Sequence, residues 1–374
     1  MRVVNSSLYR NYTNSMNTVQ ARLNKSFNKI SSGRAYESAA ENPVSYYQGK
    51  QIDDQYQLAL SKKKLLTDVK SRLEQQERGA YDIQTTLSLD AKQAVLQART
   101  ATTSDTALAS LRDKLLQVEH NMVNDLQAQY QDFYIYGGND ISTPPFSLSS
   151  DGKTLTFNHK YPGDDFLTKY EMTFKDGKFE DTVTVSTVPA GQGPTHPLSD
   201  AMKEQGFMDL GYGDIRDRST LIDTFTGGMN VLTGLTSEHV KTSTPTDAEI
   251  MEKLTKGPLG LVAGSVESIT NYLEGNSTRG EMTAELGVIL QDMLVSEHTT
   301  STVYSDLGNK YNLLEKLEST LGTMTDSLQT QYKNAVGADP YESIYEMFNN
   351  QYSYNAALQV GSNLMSSSLF DFIR

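Results

Sequence analysis

A seven-residue repeat of aliphatic and small side chains in residues 43–103 constrains the fold more than any other feature of this sequence. A sustained heptad is the pattern of a coiled-coil seam rather than of an ordinary surface helix. A helix of this length would be about 90 Å long. A second line of the seam is diluted by polar Gln76, Asp90 and Gln97. The main line of the repeat consists of Ile52, Ala59, Leu66, Leu73, Ala80, Leu87, Ala94 and Ala101.

Helical patterning returns in the last third of the chain. Thr246-Asp247 is a capping pair, from which we predict one helix to about residue 274, loosened at Gly257-Pro258. A second long helix is predicted from about 279 to 335. We therefore predict a mainly α fold, in which the two halves pair as a long antiparallel coiled coil or bundle. The best heptad stretch of the second half is Val303, Leu307, Leu314, Leu317, Leu321, Met324 and Leu328.

Between these regions the helical spacing stops at "DFYIYGGND", residues 132–140. The segments "KTLTFN" and "KYEMTFKDGKFEDTVTVSTV" have the composition of short strands, and Asp176-Gly177 is typical of a two-residue hairpin turn. We expect a β-rich insert at the far end of the helical pair. The predicted order is N-terminal assembly arm, first core half, insert, second core half and C-terminal assembly arm, at residues 1–42, 43–136, 137–245, 246–336 and 337–374.

Both ends of the chain are amphipathic segments that cannot form a core alone, because a helix of about 30 residues needs cover for its apolar stripe. The N-terminal arm is basic and the C-terminal arm acidic, which favours them as neighbours. We expect both to be loose in the monomer and to order on assembly. The predicted N-terminal assembly residues are Val4, Leu8, Tyr12, Val19, Leu23, Phe27 and Ile30. The predicted C-terminal residues for assembly and for binding an export chaperone are Ile344, Phe348, Asn355, Leu358, Met365, Leu369 and Phe372.

The stretch "ISSGRAYESAAENPVS" interrupts the first two helical patterns. Gly33 is a plausible helix stop, and Asn42-Pro43 supplies a cap followed by proline at the first helical position. We predict that this stretch is a joint between the assembly arm and the coil. "GADP", at residues 337–340, is its counterpart near the other end.

Composition excludes several classes of protein. The net charge of −13 and pI of about 4.9 argue against nucleic acid or an anionic membrane as the main partner. The chain has no cysteine, which rules out disulfides and thiolate metal sites. No apolar run approaches the roughly 18 residues of a membrane helix. The polar residues near the N-terminus do not resemble a signal peptide.

The sequence offers no catalytic, cofactor or metal motif, and we predict no enzyme, no cofactor and no metal site. The histidines show no HExxH or paired spacing. Carboxylates could gather a calcium ion by oxygen ligands, although acidic loops usually just face water. The acidic residues considered for calcium are Asp164, Asp165, Asp209, Asp214 and Asp217.

The segment "LNKSFNKISSGRAYESAAENPVS" resembles the N-terminal signature of the flagellin superfamily, in which a helix ends at a Ser-Gly turn before a small acidic segment. "NNQYSYNAALQVGSNLMSSSLFDFIR" is similar to the matching C-terminal signature. Asn42-Pro43, the "DFYIYGGND" boundary and the "SSLFDFIR" ending resemble the hook-associated protein 3 type more than filament flagellin. Asp132 and Tyr136 depart from that type's boundary pattern.

The resemblance implies a structural subunit of the bacterial flagellum that joins the hook to the filament. It further implies self-assembly into a ring, contact with the first hook-associated protein and with flagellin, and a cytosolic export chaperone on the C-terminal arm. Export would use the flagellar type III apparatus, leaving the protein outside the cell. Two alternatives stay open: a minor filament flagellin, and a filament subunit that displays an enzymatic or ligand-binding insert.

Overall fold

The computed structural model describes residues 2–372 apart from 101, 192, 204–206, 210–220 and 224–226. Its description of side chains also omits residues 2–6, 207–209, 221–223, 237–238, 241 and 364–372. The chain divides into two compact units. The terminal unit comprises residues 1–63 with 319–374, and the central unit comprises residues 64–318.

The fold is mainly α, as the heptads predict, with a small β-rich insert. A π-helical turn, Thr86–Ala91, separates α2 from α3. The helices are α1 (Arg2–Ser32), α2 (Pro43–Thr85), α3 (Lys92–Arg99), α4 (Asp105–Asp125), α5 (Leu198–Lys203), α6 (Gly228–Thr233), α7 (Ser237–Ser243), α8 (Asp247–Thr255), α9 (Pro258–Leu273), α10 (Arg279–Val336) and α11 (Pro340–Phe372). The strands are β1 (Gln129–Tyr130), β2 (Phe133–Tyr134), β3 (Phe146–Leu148), β4 (Thr154–His159), β5 (Leu167–Lys175), β6 (Lys178–Phe179), β7 (Thr184–Val188), β8 (Phe207–Asp209) and β9 (Leu221–Asp223).

In the central unit the N- and C-terminal halves of the chain run antiparallel. Lys70 pairs with Glu318 at 3.2 Å, and further along α3 Lys92 pairs with Glu297 at 3.1 Å. The rings of Tyr81 and Tyr304 meet between these pairs, with their centroids 5.5 Å apart. The seam residues of both halves are buried, as a coiled-coil seam requires. They are Leu66, Leu73, Ala80, Leu87, Ala94, Val303, Leu307 and Leu314.

One polar residue of this seam, Gln76, is hydrogen-bonded to the segment that leads into the insert. Gln76 is fully buried, and its side-chain amide donates to the carbonyl oxygen of Ile135. The Tyr136 hydroxyl donates in turn to the main-chain oxygen of Gln76 at 2.6 Å. Tyr136 can approach the helix because residue 79 is glycine: a Cβ there would lie 2.4 Å from the tyrosine Oη. In the heptad pattern Gln76 is a polar residue at an apolar position, yet in the structure it is part of the core.

The insert contains an antiparallel sheet of five strands in the order β3-β4-β5-β6, with β7 paired to β5. Alternate side chains of β4 and β5, such as Phe157 and Tyr170, are buried on one face. Asp176 and Gly177 join β5 to β6 with φ values of +53° and +79°, the backbone of a two-residue hairpin turn with both residues left-handed. The hairpin predicted at this dipeptide is present.

Three expectations need correction. The helix predicted from 246 to 274 is two helices: α8 ends at Thr255, Gly257 has extended backbone, and Pro258, which has no N–H to donate, begins α9. Glycine is required at 257, because a Cβ there would lie 1.8 Å from the carbonyl oxygen of Leu232. The insert also contains α5, α6 and α7, whose few apolar residues gave no helical period. In α10, Met324 is 42% exposed and Thr325 is buried instead, so the second line of the seam lies one residue further along.

The start of α8 matches its sequence signal. Thr246 and Glu249 form a reciprocal capping box, in which each side chain accepts a hydrogen bond from the other residue's backbone N–H. Among the described residues, no helix has both the length and the apolar character needed to span a membrane.

Candidate assembly site

The two interruptions of the helical pattern meet in the terminal unit. Gly33 follows α1 with φ +66°, a left-handed conformation that glycine adopts without strain. The Ala35 N–H donates to the carbonyl oxygen of Val336 at 2.7 Å, and the Ala338 N–H donates to that of Gly33 at 3.0 Å. An antiparallel bridge joins residues 34 and 337. We call these contacts, at residues 33–35 and 336–338, the joint.

Each helix that leaves the joint begins with a side-chain cap and a proline. The Asn42 side-chain oxygen accepts from the Ser45 N–H at 3.2 Å, and Pro43 is the first residue of α2. Asp339 accepts from the backbone N–H groups of residues 341 and 342 at 2.8 and 3.2 Å, and Pro340 begins α11. Proline suits this position because the first N–H groups of a helix have no partner within the helix.

An ion pair links the arm to the segment before α2. Lys25 Nζ lies 3.1 Å from the Glu41 carboxylate. The hydrogen bond from Lys25 lowers the pKa of Glu41, and both side chains are partly exposed to solvent, so the pair orients the segment more than it stabilises it. The guanidinium of Arg34 lies 5.9 Å from the ring centroid of Tyr332.

Beyond the joint, α1 and α11 pack side by side, as their opposite charges favour. Lys29 Nζ pairs with the Glu346 carboxylate at 3.0 Å, and the Asn350 amide donates to the buried Ser26 hydroxyl at 2.7 Å. The half-buried face of α1 also includes Tyr12, Val19 and Leu23 of the predicted stripe, whereas the predicted residues of α11 with described side chains are exposed. The contact between the arms therefore combines polar pairs with part of the predicted stripe of α1.

Further along the arms, Gly361 of α11 faces Tyr12 of α1. Tyr12 donates its hydroxyl to the Ala357 carbonyl oxygen at 3.0 Å. A Cβ at Gly361 would lie 2.0 Å from the same hydroxyl oxygen. Tyr12 is the one predicted assembly residue with a hydrogen bond across this interface in the described part of the chain.

The predicted assembly residues divide into half-buried and exposed sets. Those half-buried are Tyr12, Val19 and Leu23. Those exposed are Leu8, Phe27, Ile30, Ile344, Phe348, Asn355 and Leu358. The side chains of Val4, Met365, Leu369 and Phe372 lie outside the described residues.

The predicted stripe of α11 includes the exposed Phe348 but omits three exposed tyrosines beside it. Tyr345, Phe348 and Tyr352 are 68%, 61% and 77% exposed, and Tyr341 is more exposed still. Spacings of four, three and four place all of them on one face of the helix. We call these four residues the aromatic face. Their spacing could have indicated that they share a face. Which face of an amphipathic helix meets its neighbour, however, depends on the partner helix.

The other candidate chemistry gathers no site in the described residues. No group of three or more His, Asp or Glu there is arranged to hold a metal ion. Asp164 lies 3.5 Å from His196 instead. The side chains of Asp209, Asp214 and Asp217 are outside the described residues.

Together, the paired terminal helices, the joint and the inserted sheet define a mainly α fold in which both chain ends belong to one unit. The same fold occurs in a solved structure described as a putative flagellar hook-associated protein from Vibrio parahaemolyticus, with a TM-score of 0.51 and 11% sequence identity. The match covers 79% of this chain and 100% of the Vibrio chain. At this identity it establishes the fold alone.

Two further solved structures are more distant. FlgL from Bacillus cereus has a TM-score of 0.41 and 13% identity, over 78% of this chain and 100% of that one. FlgL from Xanthomonas campestris has a TM-score of 0.29 and 12% identity, over 74% and 99%. No protein-family model and no curated protein matches the chain.

Proposed function

We propose that this chain is a structural subunit of the bacterial flagellum, and that it joins the hook to the filament. The observation that supports this most is the fold shared, over 79% of the chain, with a protein described as a putative flagellar hook-associated protein. The resemblance of both chain ends to the flagellin superfamily is independent of that likeness, because the sequence identity is only 11%. The hook-associated protein 3 type is the member that its "ENPVS" and "SSLFDFIR" segments favour.

The arms supply the surface for such a role. Leu8, Phe27 and the aromatic face expose large apolar side chains on the paired helices α1 and α11. Burying one such side chain against a neighbour is worth about 1.5–3 kcal/mol. Several per subunit would hold a ring of copies together, with the first hook-associated protein on one side and flagellin on the other.

The same exposed faces suit an export chaperone, which would cover α11 before secretion through the flagellar type III apparatus. The proposal places the assembled protein outside the cell, on the flagellum, and assigns it no catalytic activity. An exposed apolar surface of this extent on a soluble chain is usually an interaction site.

Deleting the gene tests the junction role directly. We expect hooks to remain on the cell while flagellin accumulates in the medium, and the full-length gene to restore filaments. A variant that ends at residue 350 should fail to restore them, because it lacks much of α11. Filaments that stay attached after deletion would contradict the junction role and favour a minor flagellin.

Immunogold labelling of isolated flagella provides a second readout. Label confined to the hook–filament boundary is the expected result, whereas label along the filament indicates the minor flagellin. The display alternative is tested with the purified full chain on protein and polysaccharide substrates. Turnover with either would overturn the assignment of no enzymatic activity.

A further inference from the structure

A cavity of about 270 Å³ lies in the central unit, between α4, α9 and the turn that precedes β4. One wall is apolar, and it consists of Leu116, Phe174, Ala263 and Val266. The rest of the lining is polar and mostly charged. This cavity lies in the central unit, outside the arms to which the assembly role is assigned above.

Glu119 is the unusual member of the lining. It is 1% exposed, and neither carboxyl oxygen has a hydrogen-bond partner among the described residues. The carboxyl group fits because Gly152 faces it: a Cβ at residue 152 would lie 2.3 Å from Glu119 Oε2. Gly152 also has φ +74°, which disfavours any other residue there. A buried polar group without a partner is rare and destabilising, since it loses its hydrogen bonds to water and forms no others.

Burial raises the pKa of Glu119 to about 9, and the nearby Asp151 carboxylate acts in the same direction. The side chain is therefore uncharged in the empty cavity at neutral pH. A cation placed beside it would favour the carboxylate, so binding would release a proton.

The remaining charges around the cavity are mostly engaged elsewhere. Glu267 accepts from the N–H groups of residues 176 and 177, at 3.2 and 2.6 Å. Asp151 accepts from the Ser149 hydroxyl and the Lys153 N–H, and Arg112 pairs with Asp113 at 2.8 Å.

The lining contains the acidic side chains Glu119, Asp151, Glu267 and Glu274 and the basic Arg112 and Lys153. Since Asp151, Glu267 and Arg112 have partners of their own, it is Glu119 that favours a positive ligand, because a cation beside it would stabilise its carboxylate. The acidic groups of the lining do not form a set that could hold a metal ion in the described residues. The apolar wall, with the Phe174 ring in it, suits an organic cation, because alkyl chains pack on such a surface and ammonium groups bind near aromatic rings.

We propose that this cavity binds a primary alkylammonium group, with the ammonium on the Glu119 carboxylate and the alkyl chain against Leu116, Phe174 and Val266. The group could belong to a free alkyl amine or to a lysine side chain of another polypeptide. Both present the same chemistry to the cavity, and the cavity is large enough for a chain of four or five carbons.

Isothermal titration calorimetry of the full chain at pH 7.5 tests the proposal. The probes are n-butylamine and Nα-acetyl-lysine-N-methylamide, each titrated in phosphate and in HEPES buffer, neither of which contains a primary amine. We expect saturable binding of at least one probe, with release of about one proton per probe bound. Binding of butylamine alone indicates a free amine as the natural ligand, and tighter binding of the capped lysine indicates a protein side chain.

Glu119→Gln keeps the shape of the side chain and removes its charge. We expect it to weaken binding about tenfold or more and to abolish the proton release. Glu252→Gln is the matched control, because Glu252 is an exposed carboxylate of the same unit that pairs with Lys256 away from the cavity. This control should bind both probes as the original chain does.

Three results would overturn the proposal: no binding of either probe, binding without proton release, or unchanged binding by Glu119→Gln. Calcium chloride serves as a further arm, and calcium binding that displaces the amine with equal proton release would replace the organic cation by a metal. The proton release of the unaltered chain needs no variant, so the proposal remains testable if Glu119→Gln does not fold.

Discussion

At the residue scale, the stability of the central unit depends on polar groups that the helices bury. Glu119 is buried without a partner in the described residues, whereas Gln76 is buried and hydrogen-bonded to the segment that enters the insert. The two cases have opposite consequences. A satisfied polar group defines one packing arrangement, and an unsatisfied one lowers stability until something binds it.

Glu119→Gln should change how stability depends on pH. Because the folded pKa of Glu119 is raised to about 9 from its ordinary 4.5, this group contributes full stability below pH 4.5 and loses it as the pH rises toward 9. The substitution should therefore stabilise the protein by roughly 3–5 kcal/mol at pH 7 to 8 and have little effect at pH 4.5. Urea unfolding at both pH values, with Glu252→Gln as control, measures this. An equal effect at the two pH values would contradict it.

Gly79→Ala should destabilise the central unit by about 1–3 kcal/mol, because the new Cβ would lie 2.4 Å from Tyr136 Oη. Tyr136→Phe removes that oxygen and should cost about 1 kcal/mol for its hydrogen bond to Gln76. The double variant should lose less than the sum of the two. Thermal or urea unfolding of the original protein, the two single variants and the double variant completes this double-mutant cycle. Additive losses would mean that the two residues are not in contact.

At the scale of helices, polar pairs join α1 and α11 beside half-buried residues such as Val19 and Leu23, while other apolar side chains remain exposed. Asn350 and Glu346 face Ser26 and Lys29, whereas the aromatic face of α11 has no cover within the described chain. Separate faces can serve separate tasks. One orients the arms on each other, and the other is available to a neighbouring subunit or a chaperone.

Replacing Tyr345, Phe348 and Tyr352 by serine should separate these tasks. The variant should keep its helical content, because these side chains are exposed and replacing surface residues usually changes stability by less than about 0.5 kcal/mol each. It should fail to assemble, since the apolar area of the proposed interface is lost. Circular dichroism and filament restoration in the deletion strain provide the two readouts.

Phe133→Ser is the control for that experiment, because Phe133 is an exposed aromatic residue of the central unit rather than of α11. It should restore filaments as well as the original gene does. Restored filaments with the triple variant would show that the aromatic face is not part of the assembly site.

At the scale of the whole molecule, the two units differ in how well they bury apolar side chains. The largest fully buried side chains, from Leu73 to Phe179, all belong to the central unit. In the terminal unit, the described large side chains of α1 are half-buried or exposed. Local opening requires little energy where few apolar contacts are lost.

Hydrogen exchange should reflect this difference. In the isolated monomer we expect residues 7–28 and 345–363 to exchange much faster than the core helices of residues 64–318, and to become protected after assembly. Exchange mass spectrometry on both forms measures it. Strong protection of both arms in the monomer would contradict the expectation that they order on assembly.

Much of the fold could be predicted from local pattern. The heptad positions Leu66 to Leu87 are buried, Thr246 caps α8, and the Asp176-Gly177 turn makes its hairpin. Each of these depends on residues close together in sequence. The break at Gly257-Pro258 was predicted only as a loosening, although α8 ends before it and Pro258 begins a new helix.

The candidate sites were harder to predict. The joint needs residues 33–35 beside residues 336–338, and sequence analysis could pair these breaks only by their symmetry in the chain. Which stripe of α11 faces α1 was predicted from apolar spacing, yet Asn350 and Glu346 make the contacts. The burial of Glu119 was not predicted, since nothing in the neighbouring sequence distinguishes a buried acidic residue from an exposed one in an amphipathic helix.

By itself the sequence determined the helices, their caps, the turn of the hairpin and the likeness of the chain ends, because propensity, periodicity and backbone conformation act over a few neighbouring residues. The tertiary structure alone decided which groups meet across the chain. It joined Gly33 to Ala338, brought Tyr136 against Gly79 and left Glu119 in a cavity. The physical reason is that burial and hydrogen bonding between distant residues depend on how whole elements pack, which no local pattern encodes.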